Sequence, residues 1–424
     1  MKRFLLTTLA AGCLATLSAG DRYNFNAEWR LALGDMADGA EVECADAFWR
    51  RVTLPYAFNQ NEAFSRVCGE LSDTVMWYRK HFVLPPSAEG KRILVEFEGA
   101  RFGAHAFLNG HELGWCENGV MAFGFDLTPY VNYAGENVLS VWVDSDWRYK
   151  EHVIPAGDSI ASGFQWNDKN FYCNYGGLNK NVWLYIMEPV YQTLPLYTNL
   201  GTTGVYVYAT DFDLKQHAAN VCCESQVINS TDQPQTVALT ATVLDADGKE
   251  VGVLHGEQTV IAAGDTVTLV AQKRIAGLHF WSWGYGYLYT VKSRLSTGDE
   301  QTIRTGFRKT EFRDGMFILN GRVLQLKGFA QRSTNEWPAV GISVPAWLSD
   351  YSNRQVLGCN GNFFRWMHVT PSKQDIASFD RLGLIMAMPA GDAEKDVTGR
   401  RWAQRCELMR DAIIYNRNNP SIIY

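Results

Sequence analysis

From Gly306 onward the chain changes rhythm, and that change limits its possible folds more than any other feature. Before it, short β-branched and aromatic runs are punctuated by turn residues; after it, strand-length apolar runs alternate with helix-length amphipathic ones. Leu324 to Gln331, Phe363 to His368 and Leu384 to Met388 read as strands. Val344 to Leu357, Lys373 to Leu382 and Trp402 to Tyr415 read as helices, the alternation of an α/β unit. In the last helix Trp402, Cys406, Met409 and Ile413 recur at three- and four-residue spacing, an apolar stripe. The closing run Asn416-Arg417-Asn418-Asn419-Pro420-Ser421-Ile422-Ile423, with Tyr424, reads as the start of a further buried strand that the sequence cuts short.

The stretch from about Arg22 to Glu188 predicts an all-β sandwich. Ile93 to Glu98, Ala104 to Leu108, Val138 to Val143 and Val182 to Ile186 have strand length and composition, and Asn109-Gly110 is a two-residue hairpin turn. A second β segment follows from Pro189 to Thr305, with evenly spaced strands at Asn220 to Ile228, Thr236 to Leu244, Thr266 to Ala271 and Tyr287 to Ser296 and a turn at Asp247-Gly248. An immunoglobulin-like sandwich is the simplest expectation for it, serving as a spacer without chemistry. The expected domains are therefore 21–188, 189–305 and 306–424, after a leader at 1–20. A chain of 424 residues with 46% hydrophobic residues is too long for one ordinary domain, which agrees with this division.

Residues 1–20 predict an export signal: Lys2 and Arg3, an apolar or small run from Phe4 to Leu17, then Ser18-Ala19-Gly20 before Asp21. Cys13 after Ala10-Ala11-Gly12 is similar to a bacterial lipoprotein cleavage site, although Ala10 stands where Leu is usual, so a lipid anchor is the lesser expectation. Periplasmic, outer-membrane-associated or secreted locations all fit. The remaining cysteines, Cys44, Cys68, Cys116, Cys173, Cys222, Cys223, Cys359 and Cys406, show no disulfide framework and are expected mostly as buried free thiols. No Cys-x-x-Cys or His-x-x-x-His spacing suggests a metal, and no cofactor is implied.

A net charge of -6 without any long Lys/Arg run gives no electrostatic footprint for nucleic acid, so a neutral polar ligand fits better. Aromatic residues reach 13% with 14 Trp, side chains that suit stacking on sugar faces, although sandwich cores account for most of them. The polar-aromatic stretch from Asp144 to Tyr175 is the segment where binding residues would concentrate, which makes Trp147, Trp166, Asn167 and Asp168 candidates.

Several motifs occur together in an order that resembles glycoside hydrolase family 2, which includes β-galactosidases, β-glucuronidases and β-mannosidases. They are Phe107-Leu108-Asn109-Gly110, Phe125-Asp126-Leu127-Thr128, Gly135-Glu136-Asn137-Val138-Leu139 and Gly176-Gly177-Leu178-Asn179-Lys180-Asn181-Val182-Trp183-Leu184. Further on, His279 to Trp283, Tyr287-Leu288-Tyr289, Gly306 to Phe312, Phe317 to Gly321, Leu324 to Gln331 and Arg417-Asn418-Asn419-Pro420-Ser421-Ile422 continue the resemblance. It implies a sugar-binding jelly roll, an immunoglobulin-like sandwich and the N-terminal half of a (β/α)8 TIM barrel.

The implied activity is that of a retaining exo-β-glycosidase, β-galactosidase-like, acting on carbohydrate. Such hydrolysis needs two carboxyl groups about 5.5 Å apart, one as nucleophile and one as acid then base. The resemblance puts both beyond Tyr424, so the chain alone is expected to be inactive. Phe364-Arg365-Trp366-Met367-His368, followed by Pro371, resembles the family's Arg-x-x-His pattern after the second barrel strand. It implies that Arg365 supports the nucleophile carboxylate and His368 bonds sugar hydroxyls, with Trp366 beside them. An Arg in an apolar run is expected to be buried with an acidic partner, which the sequence beyond Tyr424 would supply; the plainer alternative is an Arg paired with a helix carboxylate and a His satisfied in the core.

After the first strand Gln331-Arg332-Ser333-Thr334-Asn335 replaces a His-rich turn, and after the third Met388-Pro389-Ala390-Gly391-Asp392 replaces an Asp-Glu pair. Asp392 remains a candidate sugar ligand, and the galactoside is the least secure part of the expectation. The alternative readings are a non-catalytic carbohydrate-binding protein using the first sandwich, or a truncated inactive product.

Overall fold

The computed structural model describes residues 21–59, 74–101, 103–116, 121–145, 175–331, 344–366, 370–389 and 399–423. Of the candidates above, Trp147, Trp166, Asn167, Asp168, His368 and Asp392 lie outside these residues, as do Cys13, Cys68, Cys173 and the 1–20 leader.

The first body pairs two antiparallel sheets. One orders Asp21–Asn24, Val182–Met187, Arg92–Phe97 and Phe123–Asp126 side by side; the other orders Arg50–Val52, Trp29–Leu33, Val75–Val83, Glu136–Asp144, Gly103–Leu108 and His111–Cys116. Alternation along the strands sends Trp29, Tyr78, Phe97, Phe123, Val141 and Val143 into one shared core. The Asn-Gly turn predicted from sequence joins Gly103–Leu108 to His111–Cys116, with φ of 51° at Asn109 and 81° at Gly110, the backbone a two-residue hairpin requires. Asn109 does more than turn. Its Nδ2 donates to Asn137 Oδ1 at 2.9 Å and its Oδ1 accepts from Val138 N at 2.8 Å, so two motifs distant in sequence meet in one hydrogen-bond cluster.

The second body is an eight-stranded antiparallel sheet around its own core of Val221, Leu239, Ala241, Leu254, Tyr289 and Val291. Val205–Asp213 pairs with Ala218–Asn229 and also lies beside Glu300–Thr305, so the sheet curls nearly closed. The segment read as one strand from Thr236 to Leu244 divides into Gln235–Val237 and Leu239–Leu244, which pair with different neighbours. Cys222 and Cys223 face opposite sides of their strand, as adjacent strand residues must.

After a three-stranded antiparallel lead-in (Thr310–Arg313, Met316–Leu319, Arg322–Val323), the alternation expected from Gly306 onward is present. Parallel strands Gly328–Gln331, Phe363–Trp366 and Ile385–Ala387 pair in that order, and Ile422 adds a parallel bridge to Met386. Gly328 is required by close packing, because a Cβ there would sit 1.6 Å from the Phe363 carbonyl oxygen. Helices Ala346–Gly358, Lys373–Leu382 and Gly399–Asn416 separate the strands. The middle one is capped by Ser372, which accepts from the Asp375 amide, and ends at Gly383 with φ of 68°.

Two expectations are corrected. The Trp402, Cys406, Met409 and Ile413 stripe is exposed, not buried, because the opposite face of that helix is held down by Leu408, Asp411, Ala412 and Tyr415. Asp411 accepts from Thr198 N at 3.0 Å and the Tyr415 hydroxyl donates to Glu96 Oε1 at 2.5 Å, and these polar anchors fix the helix rotation. Among the described cysteines Cys44, Cys116, Cys222 and Cys223 are buried as expected, but Cys359 and Cys406 are exposed.

Candidate functional site

Alternation sorts the parallel strands into two faces. Phe364, Trp366 and Met386 face the helix layer and pack with Ile376 and Phe379. Phe363 and Ile385 face the other way, joined by Ile423, and are closed off by Trp281, Phe317 and Leu319. Arg365 follows Phe363 on that second face, nearer the C-terminal ends of the strands, with Ala330 and Ala387 as its register neighbours. Small residues on both sides leave room around the guanidinium, on the face and at the end where parallel α/β units place chemistry.

Arg365 is exposed, which corrects the expectation that it is buried. No ion pair or hydrogen bond to it is found among the described residues. The reason is geometric: its register neighbours on the adjoining strands are alanines, Ala330 and Ala387. Trp366 is also corrected as a ligand-contacting residue. It is 1% exposed, its ring meets Phe379 edge-on at 5.8 Å, and it belongs to the strand–helix core.

The support beneath this face was not legible from sequence. Trp281 Nε1 donates to the Asp380 carbonyl at 2.8 Å, tying the second body to the helix Lys373–Leu382. The carboxylate of Asp380 accepts from Asn419 Nδ2 at 2.6 Å and from Ser421 N at 3.0 Å. Burial raises its pKa, opposed by those hydrogen bonds. Asn418 reaches the second body, its Oδ1 accepting from Val207 N at 2.8 Å and its Nδ2 donating to Val205 O at 2.8 Å. Arg417 donates to Thr203 O at 2.6 Å, and Arg308 donates to the carbonyls of Pro420 and Ile422. The side chains of Arg417, Asn418 and Asn419 and the backbone amide of Ser421 thus dock the segment that leads into the Ile422 bridge. Two asparagines beside a buried run were the available signal.

A second polar cluster joins the first body to the helices. Glu96 accepts from the hydroxyls of Tyr185 and Tyr415, both at 2.5 Å. Glu98 accepts from Asn181 Nδ2 and Trp183 Nε1, both at 2.9 Å, and burial raises its pKa. Lys373 donates to Tyr415 O at 2.9 Å and Asn416 Oδ1 at 3.0 Å; burial lowers its pKa to about 8. A crevice of about 520 Å³ opens beside Glu96, Tyr185, Lys373 and Tyr415. Among the described residues no group of three His, Cys, Asp or Glu is placed to hold a metal ion, and no helix is long and apolar enough to cross a membrane.

A two-sheet β sandwich and a curled β sheet clamped to a parallel strand–helix unit, with a cationic side chain at the strand ends, define a multidomain β plus α/β architecture. Residues 55–173 match the glycosyl hydrolase 2 galactose-binding domain-like family and residues 205–308 match glycosyl hydrolases family 2, together more than half of the chain. A β-glucuronidase from Formosa agariphila is 32% identical over 96% of this chain and 42% of its own length. A β-galactosidase from Bacteroides ovatus is 28% identical over 97% of this chain and 47% of its own. The solved structure of a family 2 β-glucuronidase superposes with a TM-score of 0.87 at 31% identity, covering 96% of this chain and 43% of that one. The chain belongs to glycoside hydrolase family 2, and it spans under half the length of these relatives.

Proposed function

We propose that this chain is the N-terminal portion of a retaining exo-β-glycosidase, comprising a jelly roll, an immunoglobulin-like sandwich and the first half of a (β/α)8 barrel. Arg365 carries the reading, because it stands at the C-terminal end of a parallel strand, on the face away from the helices, with alanines on either side. In this reading the guanidinium orients a nucleophilic carboxylate contributed by sequence beyond Tyr424, and His368 and Asp392 contact sugar hydroxyls. Trp147, Trp166, Asn167 and Asp168 reach the same sugar from the first body. The two carboxyl groups that hydrolysis with retention requires would both come from that later sequence.

The similarity to both a β-glucuronidase and a β-galactosidase supports a β-glycoside substrate, with the β-galactoside as the particular sugar proposed. We also propose export, on the strength of the 1–20 leader, with lipidation at Cys13 as the less favoured route to the membrane.

The purified 424-residue protein is expected to show no turnover of p-nitrophenyl β-galactoside or p-nitrophenyl β-glucuronide above background. Turnover that survives an Arg365→Ala substitution would overturn the reading.

A further inference from the structure

The six-stranded sheet of the first body has an outer face that its core does not use. In register across four adjacent strands stand Trp77, Trp142, His105 and Trp115. Directly opposed residues of antiparallel strands project to the same side, so these four side chains form one row. The intervening residues Met76, Tyr78, Val141, Val143, Ala104 and Ala106 point the other way and supply the sandwich core.

The row is aromatic throughout and graded in exposure. Trp77 is buried beneath Gly39, whose Cβ position lies 2.3 Å from its ring; Trp142 and His105 are half-buried; Trp115, on the edge strand, is 45% exposed. Phe107 packs between them at 5.9 Å from Trp77 and 4.5 Å from His105, which stiffens the platform. An exposed Trp on an edge strand invites unwanted association and adds nothing to the core. Trp115 instead extends the aromatic row to the sheet edge, where a ligand can reach it.

We propose that this face, from Trp142 through His105 to Trp115, binds the neutral pyranose rings of a glycan chain. Trp142 and Trp115 are two inter-strand spacings apart, about 9.6 Å, room for two linked sugar rings lying along the row. Aromatic faces suit the C–H faces of such rings, while their hydroxyls need polar partners at the margin. Those partners are present: His105 Nε2 and Glu112 Oε1 meet at 2.8 Å, and the Glu112 side chain remains 62% exposed with acceptor capacity to spare.

Charge selects a neutral ligand over an acidic one. Glu112 adds a carboxylate to this face. Of the cations in the next row, Arg79 is fully buried and committed to Asp46, Ser140 and the carbonyls of Gly39, Glu41 and Val42, while Arg30 and Arg51 stand on the strands beyond it, away from Trp142 and Trp115. The proposal goes beyond the hydrolase reading and does not rest on it, since it uses no residue of the parallel unit.

The test is affinity electrophoresis of the 424-residue protein in native gels containing β-1,4-galactan, xylan or mixed-linkage β-glucan, with polygalacturonate as the acidic polymer. Retardation by at least one neutral polymer is expected, with the dissociation constant rising at least ten-fold in Trp115→Ala and in Trp142→Ala. Trp115 is half exposed at a sheet edge, so its variant should keep the parent urea midpoint and carry the test even if Trp142→Ala does not fold. No retardation by any neutral polymer, retardation unchanged by Trp115→Ala, or a dimer that Trp115→Ala dissociates would each overturn the proposal, the last by making the face an interface between copies of the chain.

Discussion

Asp299 is an acid placed where its charge is costly. Its side chain is fully buried beneath the second body. Oδ2 accepts from Gln192 N at 3.0 Å and Gln192 Nε2 at 3.1 Å, while Oδ1 has no partner among the described residues. Burial raises the pKa from 3.8 to about 6 against the pull of those two bonds. The folded protein therefore holds the proton more tightly than the unfolded chain. Stability from this group is complete below pH 4 and is lost as pH rises to about 6. The difference between 3.8 and about 6 corresponds to ~3 kcal/mol. Asp299→Asn keeps an oxygen for Gln192 and adds a donor without adding charge. Its stability relative to the parent should therefore rise by ~3 kcal/mol between pH 4 and pH 7, a change spanning pH 4 to 6. Urea unfolding of both proteins at half-unit pH intervals measures this difference, and pH effects from other groups cancel in the comparison. A difference that stays flat across the range, or that favours the parent at pH 7, would show that the buried Asp299 charge costs nothing.

The docking of the parallel unit supplies two further predictions. Gly286→Ala places a Cβ 2.1 Å from the Arg381 carbonyl oxygen, a backbone contact that cannot rotate aside, so the second body and the helix Lys373–Leu382 must separate. A loss of ~1–3 kcal/mol, read as a lowered urea midpoint, is expected. Asn418→Ala removes both bonds to Val205 and Val207 and should lose ~1–3 kcal/mol. Faster amide hydrogen exchange in Val205–Asp213 would locate the effect; exchange unchanged there would show that the latch contributes nothing.

Local signals carried much of the element order. Lys373 to Leu382 was readable to the residue because Ser372 and Gly383 mark its ends in chemistry that depends only on neighbours. The Asn109-Gly110 turn and the strands flanking it were equally local. The apolar stripe of the last helix misled for a related reason: periodicity tells which residues share a face, but not which face finds a partner. Here Asp411 and Tyr415 won the buried side through hydrogen bonds to Thr198 and Glu96, residues hundreds of positions away in the chain.

The same division holds at the candidate site. Sequence alone determined the succession of two β bodies and an α/β unit, and it singled out Arg365 as the side chain out of keeping with its strand. The folded structure leaves Arg365 open between alanines and seals Trp366 in the core. It also showed that Arg417, Asn418, Asn419 and Ser421 serve as a latch to the second body and to Asp380. A hydrogen bond or a buried contact has a range of a few ångströms in space and no range at all along the sequence, so its partners are fixed only when the chain has folded.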